Sequence, residues 1–501
     1  MKLSSLLTSI AINAIRFPND IAFSTDTAAW SYEQFWSRVT QFELAIAAVA
    51  LPTQVVVAVI AHKTVDTLAL MLALGKQGQL PLAVSPSLGK TVKSLMYARG
   101  GVFCELAADN RPGIPAISAK FTSEMQNDMV PRTYRFDTCP LMLTTSGSTG
   151  IPKVVELSVK GVEAFLRWGT EYFQLTRDSR VLSYAPLNFD LSLLDIWTPL
   201  AQGATVILAD TTRATQASYL QALIRTHQPD LIQAVPMFYT LLCPASSPRD
   251  QTMGEVRHIV FTGDITHQEL RERVAATFPQ ATFHNVYGCT ETNDSFVYSV
   301  GAQAIVLDQR LPLGRPIDGV AYRIVAEDGS ELAGAGEGEL HTSTPFLAHG
   351  YTDPKLTDEV FYRGPDGYRT FYRTGDRVAR DEHGQLTLLG RNDFIVKVRG
   401  VRTNLQDIEQ ALAKMPIVKN AVIIPVNDEI AGVVLHAVVE PTQGQTFDGM
   451  AMRMFCAQHL PQTSVPRRFH KHESPLPTTS TGKPDRRTIA LSIQPQRNEP
   501  A

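Results

Sequence analysis

The sequence predicts an α/β protein: a large N-terminal domain of helix-covered, mostly parallel sheets, an antiparallel subdomain, and a small α+β C-terminal domain. Three observations predict it. Apolar runs of strand length alternate with helical-period segments over the first 300 or so residues. Turn-rich segments replace that alternation from about residue 310, and a compact tail follows "LLGRNDFIVKVRG", which sets the division at 1–392 and 393–501.

The elements follow in order. "MKLSSLLTSIAINAIRF" spaces Leu3, Leu6, Leu7 and Ile10 helically, with no small-residue cleavage site, so it reads as a surface helix rather than a secretory leader. "QVVVAVIA" (54–61) is a buried strand and "VDTLALMLALGKQG" (65–78) the helix after it. The apolar stretch from Val55 to Val84 is interrupted by His62, Lys63, Asp66 and Lys76, too polar for a membrane span. "RVLSYAPL", "ATVILAD", "DLIQAVP", "HIVFTGD" and "ATFHNVYG" recur about every 25 residues, with helical intervals such as "HQELRERVAATF". A parallel sheet gathers its ligands at the loops beyond the carboxyl ends of its strands. "GEGELHTSTPF" and "GPDGYRTFYRTGD" belong to the antiparallel part, and "LQDIEQALAKM" and "AGVVLHAVVE" to a βαβ-like tail.

Composition narrows the partners. The 501 residues are 44% hydrophobic and 19% charged, enough for a large core, and 46 Lys plus Arg against 49 Asp plus Glu leave a net charge of −3. That balance argues against nucleic acid and anionic membranes and for small solutes. Cys104, Cys139, Cys243, Cys289 and Cys456 are scattered without metal-ligand spacing, as expected of reduced thiols in a cytoplasmic protein. His470 and His472 in "HKHES" read as solvated surface.

"TTSGSTGIPK" (144–153) concentrates hydroxyls, glycines and a lysine. It is not a Walker A loop, because the lysine follows a proline instead of leading into a helix. Glycines admit an anion to backbone N–H groups, hydroxyls add donors and Lys153 adds charge. A flexible surface turn has the same composition, so the loop alone decides nothing.

Four further stretches decide it: "NVYGCTETND" (285–294), "YRTGDRV" (372–378), "GRNDFIVKVRG" (390–400) and "STGKPDRR" (480–487). With the loop, and in this order, they resemble the signature motifs of the adenylate-forming superfamily, which includes acyl-CoA synthetases, luciferases and the adenylation domains of nonribosomal peptide synthetases. The resemblance spans essentially the whole chain. It implies ATP and Mg²⁺, attack of a carboxylate on the α-phosphorus, and a protein that catalyses by positioning and charge stabilisation.

By that resemblance Thr145, Ser146, Gly147, Ser148, Thr149 and Gly150 cradle the β- and γ-phosphates beside Lys153. Thr290 touches the α-phosphate and Glu291 holds Mg²⁺. Tyr287 lies against the adenine, Asn285 offers an amide to its edge, Asp376 accepts the ribose hydroxyls and Arg391 adds a ribose or phosphate contact. Lys483 is the catalytic lysine that bridges the attacking carboxylate and the α-phosphate. Asp393 falls at the hinge about which the small domain is expected to be mobile, swinging between adenylation and acyl transfer. Taken singly, these residues also read as a turn aspartate, an exposed charge or a polar tail.

"PLNFDLSLLDIW" (186–197) resembles the part of amino-acid-activating domains in which an aspartate binds the α-ammonium; here that is Asp190, which on its own also reads as a helix N-cap. A buried carboxylate is costly without a cation, which favours an amine-bearing substrate over a fatty or aryl acid. Carried over by motif register, Leu191, Leu194, Ala234, Val260, Thr262, Val286, Asp294 and Ser295 line the pocket. Most are apolar and modest in size; Asp294 opens the way to a polar or basic side chain. "GKQGQLPLAVSP" and "FTGDIT" depart from the family's usual glycine patterns, which clouds substrate assignment more than nucleotide binding. Eighteen residues follow Lys483 with no carrier module, so the resemblance implies a separate phosphopantetheinylated carrier protein as acceptor. An acyl-CoA synthetase acting on an amine-free acid is the alternative, and an inactive nucleotide-binding scaffold the third reading.

Overall fold

The computed structural model describes residues 5–109, 116–121, 139–145, 151–244, 252–307, 310–398, 401–428, 432–460, 464–479 and 483–493. Two large sheets form the body. In the nine-stranded one, strands Ile21–Ser24, Thr205–Leu208, Arg180–Ser183, Leu231–Ala234, His258–Thr262 and Thr282–Cys289 run parallel in that spatial order. In the seven-stranded one, Val102–Asp109, Val56–Ile60, Leu80–Val84 and Met142–Thr145 are parallel, flanked by antiparallel edges. Every residue of Val56–Ile60 and Leu80–Val84 is buried, which is why these strands read as unbroken apolar runs.

Helix Val65–Lys76 begins where the Thr64 hydroxyl accepts the Thr67 N–H at 3.2 Å, and returns the chain from one of these strands to the next. The N-terminal helix Ser5–Arg16 buries Leu7, Ile10, Asn13 and Ala14, and the Asn13 amide donates to the Leu200 and Ala201 carbonyls at 3.0 Å each. It is docked on the body as well as facing solvent.

Antiparallel pairing is present at the edges of both large sheets well before the change of texture near 310. Thr282–Cys289 turns tightly into Asn293–Gly301, with Gly288 opposite Asp294 and a register shift between Tyr287 and Gly288. A Cβ on Gly288 would lie 2.3 Å from the Asn293 carbonyl oxygen, so only glycine fits that close approach. Beyond it, Ala321–Val325, Gly336–Ser343, Phe361–Arg363, Thr370–Arg380 and Leu386–Arg391 form an all-antiparallel five-stranded sheet.

The C-terminal part has its own core, including Ile408, Leu412, Ile423, Ala437, Met452 and Cys456. Its βαβ crossover is strand Gly432–Pro441, helix Gly449–His459 and strand Arg468–Lys471, with the two strands parallel. Helix Leu405–Ala413 approaches the body, where Asp407 pairs with Arg310 at 3.5 Å. His470 is half-buried against His436 at 3.1 Å, not simply solvated. The five cysteines are free thiols, no described helix is long and apolar enough to cross a membrane, and among the described residues no cluster of His, Cys, Asp or Glu converges on a metal.

Candidate active site

The carboxyl ends of both sheets converge on one region. From the seven-stranded sheet come Thr145 and Lys153, opposite each other across the antiparallel pair Met142–Thr145 and Lys153–Glu156. These residues flank the glycine- and hydroxyl-rich loop; Ser146, Gly147, Ser148, Thr149 and Gly150 themselves lie outside the described residues.

From the nine-stranded sheet come Ala234 and Thr262 at strand ends, with Val260 fully buried two residues before Thr262 and Val286 beside Thr262 in register. Leu194 is fully buried with its Cδ1 against Gly169 of helix Val159–Tyr172, while Leu191 is partly exposed. Ser295 is buried, its hydroxyl 3.4 Å from the Asn293 carbonyl inside the hairpin.

The tight turn after Thr282–Cys289 brings three acidic side chains close. Asp190 is partly reached by solvent yet densely surrounded, as in the wall of a cleft; burial raises its pKa, the Thr290 hydroxyl hydrogen bond opposes that, and Glu291 adds to it. Asp294, across from Asp190, is pushed up to about 8 by burial and then by Asp190. Neither carboxylate has a described cationic neighbour among the groups that move its pKa. Glu291 is buried and accepts the Tyr351 hydroxyl at 2.5 Å; Tyr351 in turn lies 3.3 Å from the Tyr372 hydroxyl and beneath the Lys153 ammonium, 4.8 Å from its ring centre.

Asp376 forms the other wall. It is buried, accepts the Tyr287 hydroxyl at 2.5 Å, and lies 3.5 Å from Arg391, its cross-strand partner. Gly375, at φ +71°, leaves the space the Arg391 guanidinium uses, 3.3 Å from where a Cβ would stand. The Tyr287 ring is itself buried near Phe296, and the Asn285 amide donates to the Pro312 carbonyl at 2.9 Å.

Thus Asp190, Thr290, Glu291 and Asp294 are brought together, as are Tyr287, Asp376 and Arg391. Lys483 takes part in none of these contacts: its side chain is exposed, and its carbonyl accepts the Thr479 N–H at 2.7 Å in a small hairpin of the C-terminal part. Asp393 lies in the 3₁₀ turn Asn392–Phe394 between the two parts. The sequence reading missed Tyr351, which stands in "GYTDP" with no motif-like neighbour to mark it.

A family model described as AMP-binding enzyme matches residues 10–352, and its C-terminal domain model matches 407–483. The chain belongs to the AMP-binding enzyme family. This AMP-binding enzyme is 32% identical over 357 residues to a D-alanine–D-alanyl carrier protein ligase of Staphylococcus aureus, covering 70% of each chain. It is 27% identical over 497 residues to an L-proline–[L-prolyl-carrier protein] ligase of Pseudomonas fluorescens, covering 96% of this chain and 97% of that one. Its fold matches ATP-bound MatB from Rhodopseudomonas palustris with a TM-score of 0.79 at 21% identity, over 98% of this chain and 99% of that one. It also matches Klebsiella oxytoca NpsA bound to 3-hydroxyanthranilyl-AMSN, at TM-score 0.76 and 23% identity over 98% and 100% of the two chains. The AMP-binding enzyme is therefore an adenylate-forming ligase.

Proposed function

We propose that this enzyme activates an amino acid as its aminoacyl-AMP and transfers the aminoacyl group to the phosphopantetheine thiol of a separate carrier protein. The observation that carries the reading is Asp190, a desolvated carboxylate held by Thr290 at the cleft wall with no described cation beside it. A substrate ammonium resolves the cost of that environment, whereas an amine-free acid leaves it standing. The carrier-protein ligases of D-alanine and L-proline found among the relatives support the same class of substrate and acceptor.

In the first step an oxygen of the substrate carboxylate attacks the α-phosphorus, and the bond to the pyrophosphate oxygen breaks. Thr145 and Lys153, at the two ends of the glycine- and hydroxyl-rich loop, hold the outer phosphates. Asp376, set by Tyr287 and Arg391, receives the ribose hydroxyls. Thr290 is shared between Asp190 and the α-phosphate region, which fixes the acid relative to the nucleotide. Glu291 fits a Mg²⁺ ligand: the Tyr351 hydroxyl binds one of its oxygens, no described side chain hydrogen-bonds the other, and a hard cation that keeps waters and phosphate oxygens is held by as few as one carboxylate. Bound there, Mg²⁺ supplies charge to offset that of the phosphates. Lys483 must be carried into the cleft from the exposed position it holds here, with the Asn392–Phe394 turn absorbing the rotation. In the second step the thiolate attacks the carbonyl carbon and AMP leaves.

ATP–pyrophosphate exchange over all proteinogenic amino acids, D-alanine, acetate, octanoate and benzoate tests the reading. Exchange driven by one or a few amino acids is expected; exchange driven only by amine-free acids overturns it. Free coenzyme A as a competitor of a phosphopantetheinylated carrier protein tests the acceptor.

A further inference from the structure

Lys63 follows strand Val56–Ile60 of the seven-stranded sheet, is only 9% exposed, and donates from Nζ to the Ala185 carbonyl at 2.6 Å. Ala185 follows strand Arg180–Ser183 of the nine-stranded sheet, so this one bond ties the carboxyl ends of the two sheets. Asp195, 0% exposed in the π-helical turn Leu193–Trp197, faces the Lys63 ammonium, the Ser183 hydroxyl and the Tyr184 N–H, without reaching ordinary hydrogen-bond geometry with any described group. The Ser183 hydroxyl and the Asn188 amide oxygen are likewise buried and without a described hydrogen-bond partner. Asn188 adds a second tie between the sheets, donating to the Thr144 hydroxyl at 3.3 Å, next to the start of the glycine- and hydroxyl-rich loop.

The segment between these ties is the one that ends in Asp190. Buried groups of opposite charge are seldom worth more to stability than well-packed apolar residues of the same size, so stability alone gives no reason for a lysine and an aspartate here. Their geometric effect is specific. The Lys63 ammonium pins a main-chain carbonyl five residues ahead of Asp190, and a π-turn, a local irregularity that is frequent at functional sites, places the Asp195 carboxyl near it. Burial drags the Lys63 pKa down to about 8 against the pull of Asp195, so the charge on one depends on the presence of the other.

We propose that Lys63, with Asp195 buried near it, is a positioning residue for adenylation: it holds the Pro186–Asp190 segment against the sheet that carries Thr144 and Thr145, so that the acid pocket and the nucleotide cradle keep one relative position. The proposal rests on the site reading above but not on the substrate being an amino acid, because the assay uses whichever acid drives the fastest pyrophosphate exchange in the unaltered enzyme.

Three variants separate positioning from mere packing: K63M, the double variant K63M/D195L, and K63R, which keeps a cationic donor. The readouts are the melting temperature, the dissociation constant for ATP, and kcat and KM of exchange for the acid. K63M loses both stability and exchange. The double variant recovers the melting temperature but keeps kcat/KM for the acid at least about tenfold down, with ATP affinity within about threefold, because misplacement of order an ångström costs rate without removing contacts to the nucleotide. K63R recovers more exchange than K63M. A double variant that melts normally and exchanges within about threefold of the unaltered enzyme overturns the proposal, since the pair is then a packing element only. So does a parallel fall in ATP affinity, a folded K63R no better than a folded K63M, or loss of folding in all three.

Discussion

Asp190→Asn isolates the charge on which the substrate reading turns. Asparagine keeps the shape of the side chain and an oxygen for the Thr290 hydroxyl, so the cleft wall survives while its charge disappears. At about 4 Å and an effective dielectric near 20, an ammonium and a carboxylate attract by about 4 kcal/mol, and a charge-assisted hydrogen bond is worth about 1.5–3 kcal/mol net of water. The variant is therefore expected to lose about 2–4 kcal/mol of transition-state stabilisation for an amino acid, a fall of about 30- to 1000-fold in kcat/KM for exchange. The amine-free analogue of the same acid should respond in the opposite direction. In the unaltered enzyme it leaves a desolvated carboxylate without a cation, a cost of about 1–3 kcal/mol that asparagine largely removes, so its exchange should rise several-fold. Steady-state exchange with both acids, on protein whose melting temperature is unchanged, reads the two effects together. A loss under about threefold for the amino acid, with the analogue unmoved, would refute the reasoning.

Lys483→Ala should cut adenylation by two or more orders of magnitude while leaving the melting temperature within about a degree, because an exposed lysine contributes little to packing. Loss of folding would assign the residue a structural role instead. Asp294→Asn should change the pH dependence of stability. Asp294 titrates near 8 when folded against about 3.9 unfolded, so between those values the folded chain holds the extra proton and stability falls as pH rises. The variant should match the unaltered protein near pH 4 and exceed it by about 2 kcal/mol at pH 8, allowing for partial solvent access; thermal melts across that range read a difference of a few degrees, and parallel curves would rule it out. Gly288→Ala drives a Cβ against the Asn293 backbone and should abolish exchange or folding, whereas normal exchange would show that the hairpin can open at no cost.

Much of the candidate site was legible because contiguous residues carry the chemistry proposed for it. A loop rich in glycine, serine and threonine, a strand ending in "YGCTET" and the "RTGD" turn are local signals, and alternating apolar periods announced most of the strands and helices around them. The antiparallel return of Asn293–Gly301 was not legible, since its direction is set by the three-residue loop Thr290–Thr292 between the paired Cys289 and Asn293 rather than by its composition. Tyr287 shows the same limit at a single residue. Its motif marked it as part of the nucleotide site, but the structure buries its ring and presents its hydroxyl to Asp376, 89 positions later.

Sequence by itself determined the adenylate-forming character and marked Asp190, Thr290, Glu291 and Asp376 as site candidates, because each stands in a motif of neighbours along the chain. Tertiary structure alone decided that Tyr351 orients Glu291 from 60 residues away, that Asp294 confronts Asp190, and that Lys63 reaches Ala185 across 122 positions to join the two sheets. The reason is physical: a desolvated charge or hydroxyl takes whichever partner the packing of the sheets brings within reach, and no local pattern names that partner in advance.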